Sequence, residues 1–126
     1  MIVSGLDHIN IGTSRLAETR AFFKDVLGLT EGWRPPFPFG GAWLYAGERA
    51  VVHLVELAAD KAESSAAALD HFAFNIDDYD GALARMKAMG IACREVDVPG
   101  SAIRQIFIRD PNGVNIELNY RPPAGA

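Results

Sequence analysis

The chain has 126 residues, a formal net charge of −4, and 49% apolar against 22% charged residues. That length holds one compact domain or two very small modules sharing a sheet, and the composition is ordinary for a soluble globular protein. A negative balance without a basic stripe excludes nucleic acid as a partner, apolar runs this short exclude a bilayer span, and the lone Cys93 excludes a disulfide framework. No basic segment followed by an apolar stretch opens the sequence, so the expectation is a chain without a secretory signal, working in a reducing cytoplasm.

In chain order, LDHINI at 6–11 reads as a strand. Side chains alternate along a strand, so His8, Asn10 and Gly12 share one face, and Ile9 and Ile11 the other. Thr13 or Ser14 caps a helix expected over 15–27, with Leu16, Phe22, Phe23, Val26 and Leu27 at helical spacing and Gly28 as its terminator. A short strand fits near 30–34. The aromatic, proline-rich stretch 33–41 is either a stiff surface connection or a lid over a site. A hairpin follows, 41–46 leading through Gly47-Glu48-Arg49 into 50–57. Residues 58–68 are polar and alanine-rich, a surface linker with room for a helical turn.

The pattern then repeats. LDHFAF at 69–74 is a strand with His71, Ala73 and Asn75 on one face and Phe72, Phe74 and Ile76 on the other. Asp77 or Asp78 caps a helix whose stripe is Ala82, Leu83, Met86 and Met89, ended by Gly90. A short strand near 92–96 precedes a hairpin, 103–108 through Asp110-Pro111-Asn112-Gly113 into 114–120, where proline presets φ and Asn-Gly tolerates positive φ. The unit is strand–helix–strand–strand–strand, twice: an α+β chain whose modules cover about 1–57 and 69–120, within a single domain 1–126.

The repeat carries chemistry. The two Leu-Asp-His tripeptides lie 63 residues apart, half the chain length. Shifting by 64 sets His53 over Glu117, a difference one hairpin residue absorbs. The positions His8, His53, His71 and Glu117 are therefore two symmetry-related pairs, and every histidine of the chain occupies one of them. Imidazole with carboxylate suits Zn, Fe, Mn, Ni or Co, and two histidines with one carboxylate is the usual non-haem Fe(II) set. Val51 and Val55 flank His53 on its face, so it also reads as a structural histidine beside a three-ligand site.

With LDHINIGT at 6–13, AFFKDVLGL at 21–29, GAWLYAG at 41–47, VVHLVE at 51–56, LDHFAFNI at 69–76 and IFIRDPNGVNIEL at 106–118, the chain resembles the vicinal oxygen chelate superfamily, the glyoxalase/bleomycin-resistance/dioxygenase group. The resemblance covers nearly the whole chain. It implies paired βαβββ modules whose curled mixed sheets form a metal-centred cleft, and a substrate whose two neighbouring oxygens chelate one divalent metal. Position by position, His8, His71 and Glu117 match the most widespread ligands. His53 matches a fourth, which is a glutamate in glyoxalase I and a catalytic candidate there; the departure argues against ordinary glyoxalase I activity on the glutathione hemithioacetal. Glu56, three residues on, faces the other way and is a poor substitute.

The resemblance implies a metal-dependent lyase or isomerase acting on a small oxygenated metabolite, with Glu117 and His53 as catalytic candidates. The alternatives are an Fe(II) extradiol-type dioxygenase, with His53 as the acid/base beside the triad, and a drug-binding or fosfomycin-type resistance protein. Proteins of this kind and size are commonly homodimers, and a swap through the linker would bring the two ligand pairs from different chains. For the substrate, Trp43 and Tyr45 share a strand face and could line an apolar pocket beneath the loop that carries Phe37 and Phe39, and Arg34 or Arg104 could hold an anionic group. Asn10, Asn75, Asn115 and Asn119 could orient ligands from behind. The tail 121–126 reads as linker-like.

Overall fold

The computed structural model describes residues 1–124; of the tail, Gly125 and Ala126 lie outside the described residues. The chain divides after Lys61 into two compact units.

The first unit runs β1 (Ile9–Thr13), α1 (Leu16–Ala21), β2 (Thr30–Gly32), β3 (Gly41–Ala46) and β4 (Arg49–Glu56). The second repeats it as β5 (His71–Ile76), α2 (Tyr79–Ala88), β6 (Arg94–Asp97), β7 (Arg104–Arg109) and β8 (Asn115–Tyr120). Each forms a four-stranded mixed sheet, in the orders β1-β4-β3-β2 and β5-β8-β7-β6, with the first strand of each unit parallel to its last. These are two βαβββ modules. A 3-10 turn at Ser64–Ala66 sits in the stretch expected to be a linker. Among the described residues no helix is long and apolar enough to cross a membrane.

The alternation in the sequence decides which face each sheet buries. In the first unit Ile11, Leu44, Val52 and Leu54 point to the helix side and pack with Phe22, Phe23 and Val26. In the second, Ile106, Ile108, Ile116 and Leu118 do the same with Tyr79 and Met86. Each of these side chains contributes about 1.5–3 kcal/mol by leaving water. The opposite face of each sheet carries the histidines.

The first helix departs from expectation. It is α-helical only over Leu16–Ala21, and Phe22–Val26 is a π-helical turn. Within that widened turn Phe22 and Phe23 are both buried, 7% and 0% exposed. Neither Thr13 nor Ser14 is its N-cap: that residue is Arg15, without a side-chain cap, while the Thr13 hydroxyl accepts the Arg15 N–H at 2.9 Å. In the second module the cap falls on Asp78, which accepts the Gly81 N–H at 2.9 Å. Both helical segments end alike. Gly28 and Gly90 take φ of 73° and 68°, and the next amide turns back to the helix, Leu29 N to Phe23 O at 3.0 Å and Ile91 N to Met86 O at 2.9 Å.

Candidate functional site

Register makes the two modules equivalent at the level of single residues. In the first, Asn10 lies opposite His53, two positions on from His8. In the second, Ala73 lies opposite Glu117, two positions on from His71. Each module therefore presents a diagonal pair, His8/His53 and His71/Glu117, on the face away from its helix.

The Asp of each Leu-Asp-His has a definite task. The Asp7 carboxylate lies 2.6 Å from Nδ1 of His8, and Asp70 lies 2.8 Å from Nδ1 of His71. A carboxylate only accepts, so in both rings Nδ1 carries a proton, and in the neutral ring the lone pair is on Nε2. The bond from His8 holds the Asp7 carboxyl below the usual carboxylate range. This is how ligating histidines are oriented in metal sites. The Asn115 amide also donates to the Asp70 backbone carbonyl at 3.3 Å, steadying that corner.

In the second module the lone pair of His71 faces Glu117, with Nε2 3.9 Å from Oε1. The other carboxylate oxygen is held from behind: Gln105 Nε2 donates to Asn119 Oδ1 at 3.0 Å, and Asn119 Nδ2 donates to Glu117 Oε2 at 2.9 Å. The Glu117 side chain is only 13% exposed, so this relay fixes its rotamer and leaves one oxygen for a ligand role.

The first module is built differently. His53 lies between two rings, stacked on Trp43 at 3.9 Å and on His8 at 3.7 Å between centroids. Trp43 is its cross-strand neighbour, and Trp33 meets Trp43 edge-on. His53 Nε2 is 3.2 Å from the Ala50 carbonyl, which only accepts; the free lone pair is therefore on Nδ1. Burial first, and the neighbouring His8 second, push the His53 pKa below the usual histidine value. His53 is thus a neutral ring with its Nε2 occupied, unlike His8 and His71.

The aromatic loop folds onto this stack. Arg34 lies over the stacked rings of Phe37 and Phe39 and donates to the Phe39 carbonyl at 2.9 Å. Arg34, Phe37, Phe39, Trp43 and His53 line one pocket of about 190 Å³. On the other side of His53, Trp33, Trp43, Tyr45 and Asp7 border a second groove of about 360 Å³. Four of the expected substrate residues therefore gather at His53. Arg104 does not join the ligand face of its own sheet. It shares parity with buried Ile106 and Ile108, stacks 3.8 Å over the Tyr79 ring and pairs with Asp97 at 3.4 Å on the helix side. Burial and the Glu95 acceptor raise the Tyr79 hydroxyl to about 12, so that ring stays neutral beneath the guanidinium. Of the asparagines expected to support ligands, Asn75 accepts from Arg121 at 3.1 Å.

Among the described residues no group of three or more His, Cys, Asp or Glu is set up to hold an ion; the metal-capable side chains come as pairs within modules. Their donor chemistry nevertheless fits a divalent metal, since two imidazoles have Nδ1 engaged and Nε2 free, and one carboxylate is braced from behind.

Two modules of this topology, each opening with an oriented histidine, define the class. The chain belongs to the Glyoxalase/Bleomycin resistance protein/Dioxygenase superfamily, which it matches over residues 5–118. It is 28% identical over 125 residues to the uncharacterized protein YaeR of Escherichia coli (strain K12), covering 88% of this chain and 92% of that protein. Among solved structures it resembles the genomically encoded fosfomycin resistance protein FosX from Listeria monocytogenes, with 21% identity, TM-score 0.75 and 96% of both chains covered. It also resembles lactoylglutathione lyase from Agrobacterium tumefaciens, with 21% identity, TM-score 0.73 and 100% of both chains covered. At that identity the likeness is one of fold. A resistance protein and a lyase on one fold leave the reaction to be argued from the site.

Proposed function

We propose that this protein is a divalent-metal-dependent lyase or isomerase of glyoxalase type, a single domain of two modules acting on a small oxygenated metabolite that binds through two adjacent oxygens. The observation that carries the reading is the pair of Asp-oriented histidines, each with Nε2 free, the second facing the braced carboxylate of Glu117. His8, His71 and Glu117 would hold the ion, and His53 occupies the fourth equivalent position. When bound, a divalent ion supplies Lewis-acid charge to the substrate oxygens.

The chain's own residues supply the rest. Asp7 and Asp70 fix the tautomers of His8 and His71, and the Gln105–Asn119 relay holds Glu117. His53, neutral and with its lone pair on Nδ1, would take a proton from the substrate carbon, the C–H pair moving onto the adjoining carbonyl oxygen, and return it to the neighbouring carbon. Phe37, Phe39 and Trp43 shield that transfer from water, with Arg34 holding the loop over them. His53 stands where the resemblance to glyoxalase I would put a glutamate, so ordinary glyoxalase I activity on the glutathione hemithioacetal is not part of this reading. The working form is read as a cytoplasmic homodimer.

Elemental analysis of purified wild type and of His8→Ala, His71→Ala and Glu117→Ala tests the reading. Stoichiometric metal in the wild type and its loss in all three is expected; unchanged stoichiometric metal in His8→Ala and Glu117→Ala would sink it. His53→Gln should keep metal and lose turnover. The two-histidine, one-carboxylate set also favours a second reading, an Fe(II) dioxygenase. Oxygen uptake with catechols after anaerobic Fe(II) loading would select it over the first.

A further inference from the structure

Beside its ligand pair, the second module contains a groove of about 620 Å³, whose wall includes His71, Ile91, Cys93, Arg94, Phe107 and Arg109. The two guanidiniums in it are in opposite states. Arg109 is tied down, Nε to Asn115 Oδ1 at 3.0 Å, Nη1 to Glu63 at 3.5 Å and Nη2 to Ser65 at 3.4 Å. Arg94 has neither a carboxylate partner nor a hydrogen bond among the described residues. It is nevertheless positioned, since its guanidinium lies 4.5 Å over the ring of Phe107, its cross-strand neighbour. Phe107 in turn lies opposite Glu117, so Arg94 stands on the ligand face, one strand out from the carboxylate. The acid beside it, Glu95, is committed elsewhere, accepting the Tyr79 hydroxyl at 2.7 Å. The remaining carboxylate of the groove, Asp70, is bound to His71. The groove thus holds one uncommitted guanidinium over an apolar wall and runs up to a proposed metal ligand.

The geometry points to Arg94 as the anchor for an anionic group of the substrate, a carboxylate or a phosphate. Ile91, Cys93 and Phe107 take the carbon stem, and the oxygenated end reaches toward His71. A planar guanidinium held by an aromatic face offers two parallel N–H donors to such a group without losing its orientation when it binds. This deepens the proposed function, on which it rests, by naming an anionic hydroxy- or oxo-compound as the substrate class.

The test is a titration of the ¹⁵N-labelled protein, stripped of metal with EDTA, by inorganic phosphate and by lactate, with uncharged hydroxyacetone as the control. Both anions should shift the Arg94 Nε–H and the amides around Ile91, Cys93 and Phe107, while hydroxyacetone should not. Arg94→Met keeps the apolar contact with Phe107 and should weaken both anions about tenfold or more, the loss of one charge-assisted hydrogen-bonding partner; Arg94→Lys should fall between. Equal anion affinity in wild type and Arg94→Met overturns the inference. So does the absence of shifts in the groove, or shifts confined to Arg34 or Arg121.

The dispersion of the amide spectrum shows whether each variant is folded. Glu117→Ala should lose metal and keep anion binding, and Arg94→Met should lose anion binding and keep metal. Metal retained in Glu117→Ala, with anion binding lost in Arg94→Met, would defeat the metal reading alone. Anion binding retained in Arg94→Met, with metal lost in Glu117→Ala, would defeat this inference alone.

Discussion

The two modules share strand order, register and the Asp-oriented histidine, yet they surround the equivalent fourth position in opposite ways. In the first that position is His53, clamped between Trp43 and His8. In the second it is Glu117, hydrogen-bonded from behind by Asn119. The strand next to each hairpin differs in the same sense, with Gly32 opposite Trp43 in the first module and Arg94 opposite Phe107 in the second. A repeated backbone frame thus preserves where side chains point, while single substitutions on it make one module aromatic and the other charged. The proposed division of labour follows, with base and hydrophobic shield from the first module, and carboxylate and anion anchor from the second.

The largest effect that would probe this comparison is on stability. Phe23 is fully buried in the first module and Met86 is 1% exposed in the second. Phe23→Ala should cost about 3–5 kcal/mol and Met86→Ala about 2–5 kcal/mol by urea denaturation. If each sheet rests on its own core, hydrogen exchange should rise chiefly in β3 and β4 for the first variant and in β7 and β8 for the second. Uniform acceleration in both would break the picture of separately built modules.

Removing the orienting carboxylates comes next. Asp7→Asn and Asp70→Asn should each weaken metal binding by about 10–100-fold, because the amide no longer fixes the tautomer of the adjoining histidine. Isothermal titration with Zn²⁺ would read this, and a much smaller effect of Asp7→Asn would show that the first module does not contribute its histidine equally.

A smaller effect belongs to the stack. Trp43→Ala removes a ring contact of about 0.5–1.5 kcal/mol and exposes His53 to water. The NMR titration midpoint of His53 should then rise toward the ordinary histidine value, whereas Phe107→Ala, the equivalent change in the second module, should leave it unmoved.

The smallest effect is on the pH dependence of stability. His53 is held below its unfolded value, so the folded state takes up that proton late. Its contribution is complete above the unfolded value and is lost as pH falls through the lowered one. In the metal-free protein His53→Gln should therefore flatten the decline in Tm as pH falls from the ordinary histidine value toward the lowered one. An unaltered slope would mean that His53 does not titrate in that window.

Much of this is legible in the residues. Alternation in LDHINI, LDHFAF and VNIELNY places the faces, the Asp-Pro-Asn-Gly turn marks the last hairpin, and the repeat relates His53 to Glu117. What escapes depends on contacts across strands. The π-helical turn at Phe22–Val26 has no signature in the apolar spacing, which reads as an ordinary helix through Leu27. Arg104 alternates away from Ile103, Gln105 and Phe107, but that direction is the helix side, where Tyr79 waits. Arg94 sits in the short strand REVD, which has no apolar rhythm; only its register with Phe107 puts it on the ligand face. The sequence suggests Trp43 as a pocket wall, but its stack on His53 follows from the register Trp43↔His53 and not from either segment alone.

The proposed metal site has His8, His71 and Glu117 holding a divalent ion that His53 attends without binding through Nε2. Anomalous diffraction from crystals of the protein purified with its own metal tests this most directly, giving the element, the ligands and the chain each comes from. The expected result is a peak within bonding distance of Nε2 of both His8 and His71 and of a Glu117 oxygen, with His53 still stacked between Trp43 and His8. A peak away from these atoms, or metal-containing crystals with no peak at Glu117, would contradict it.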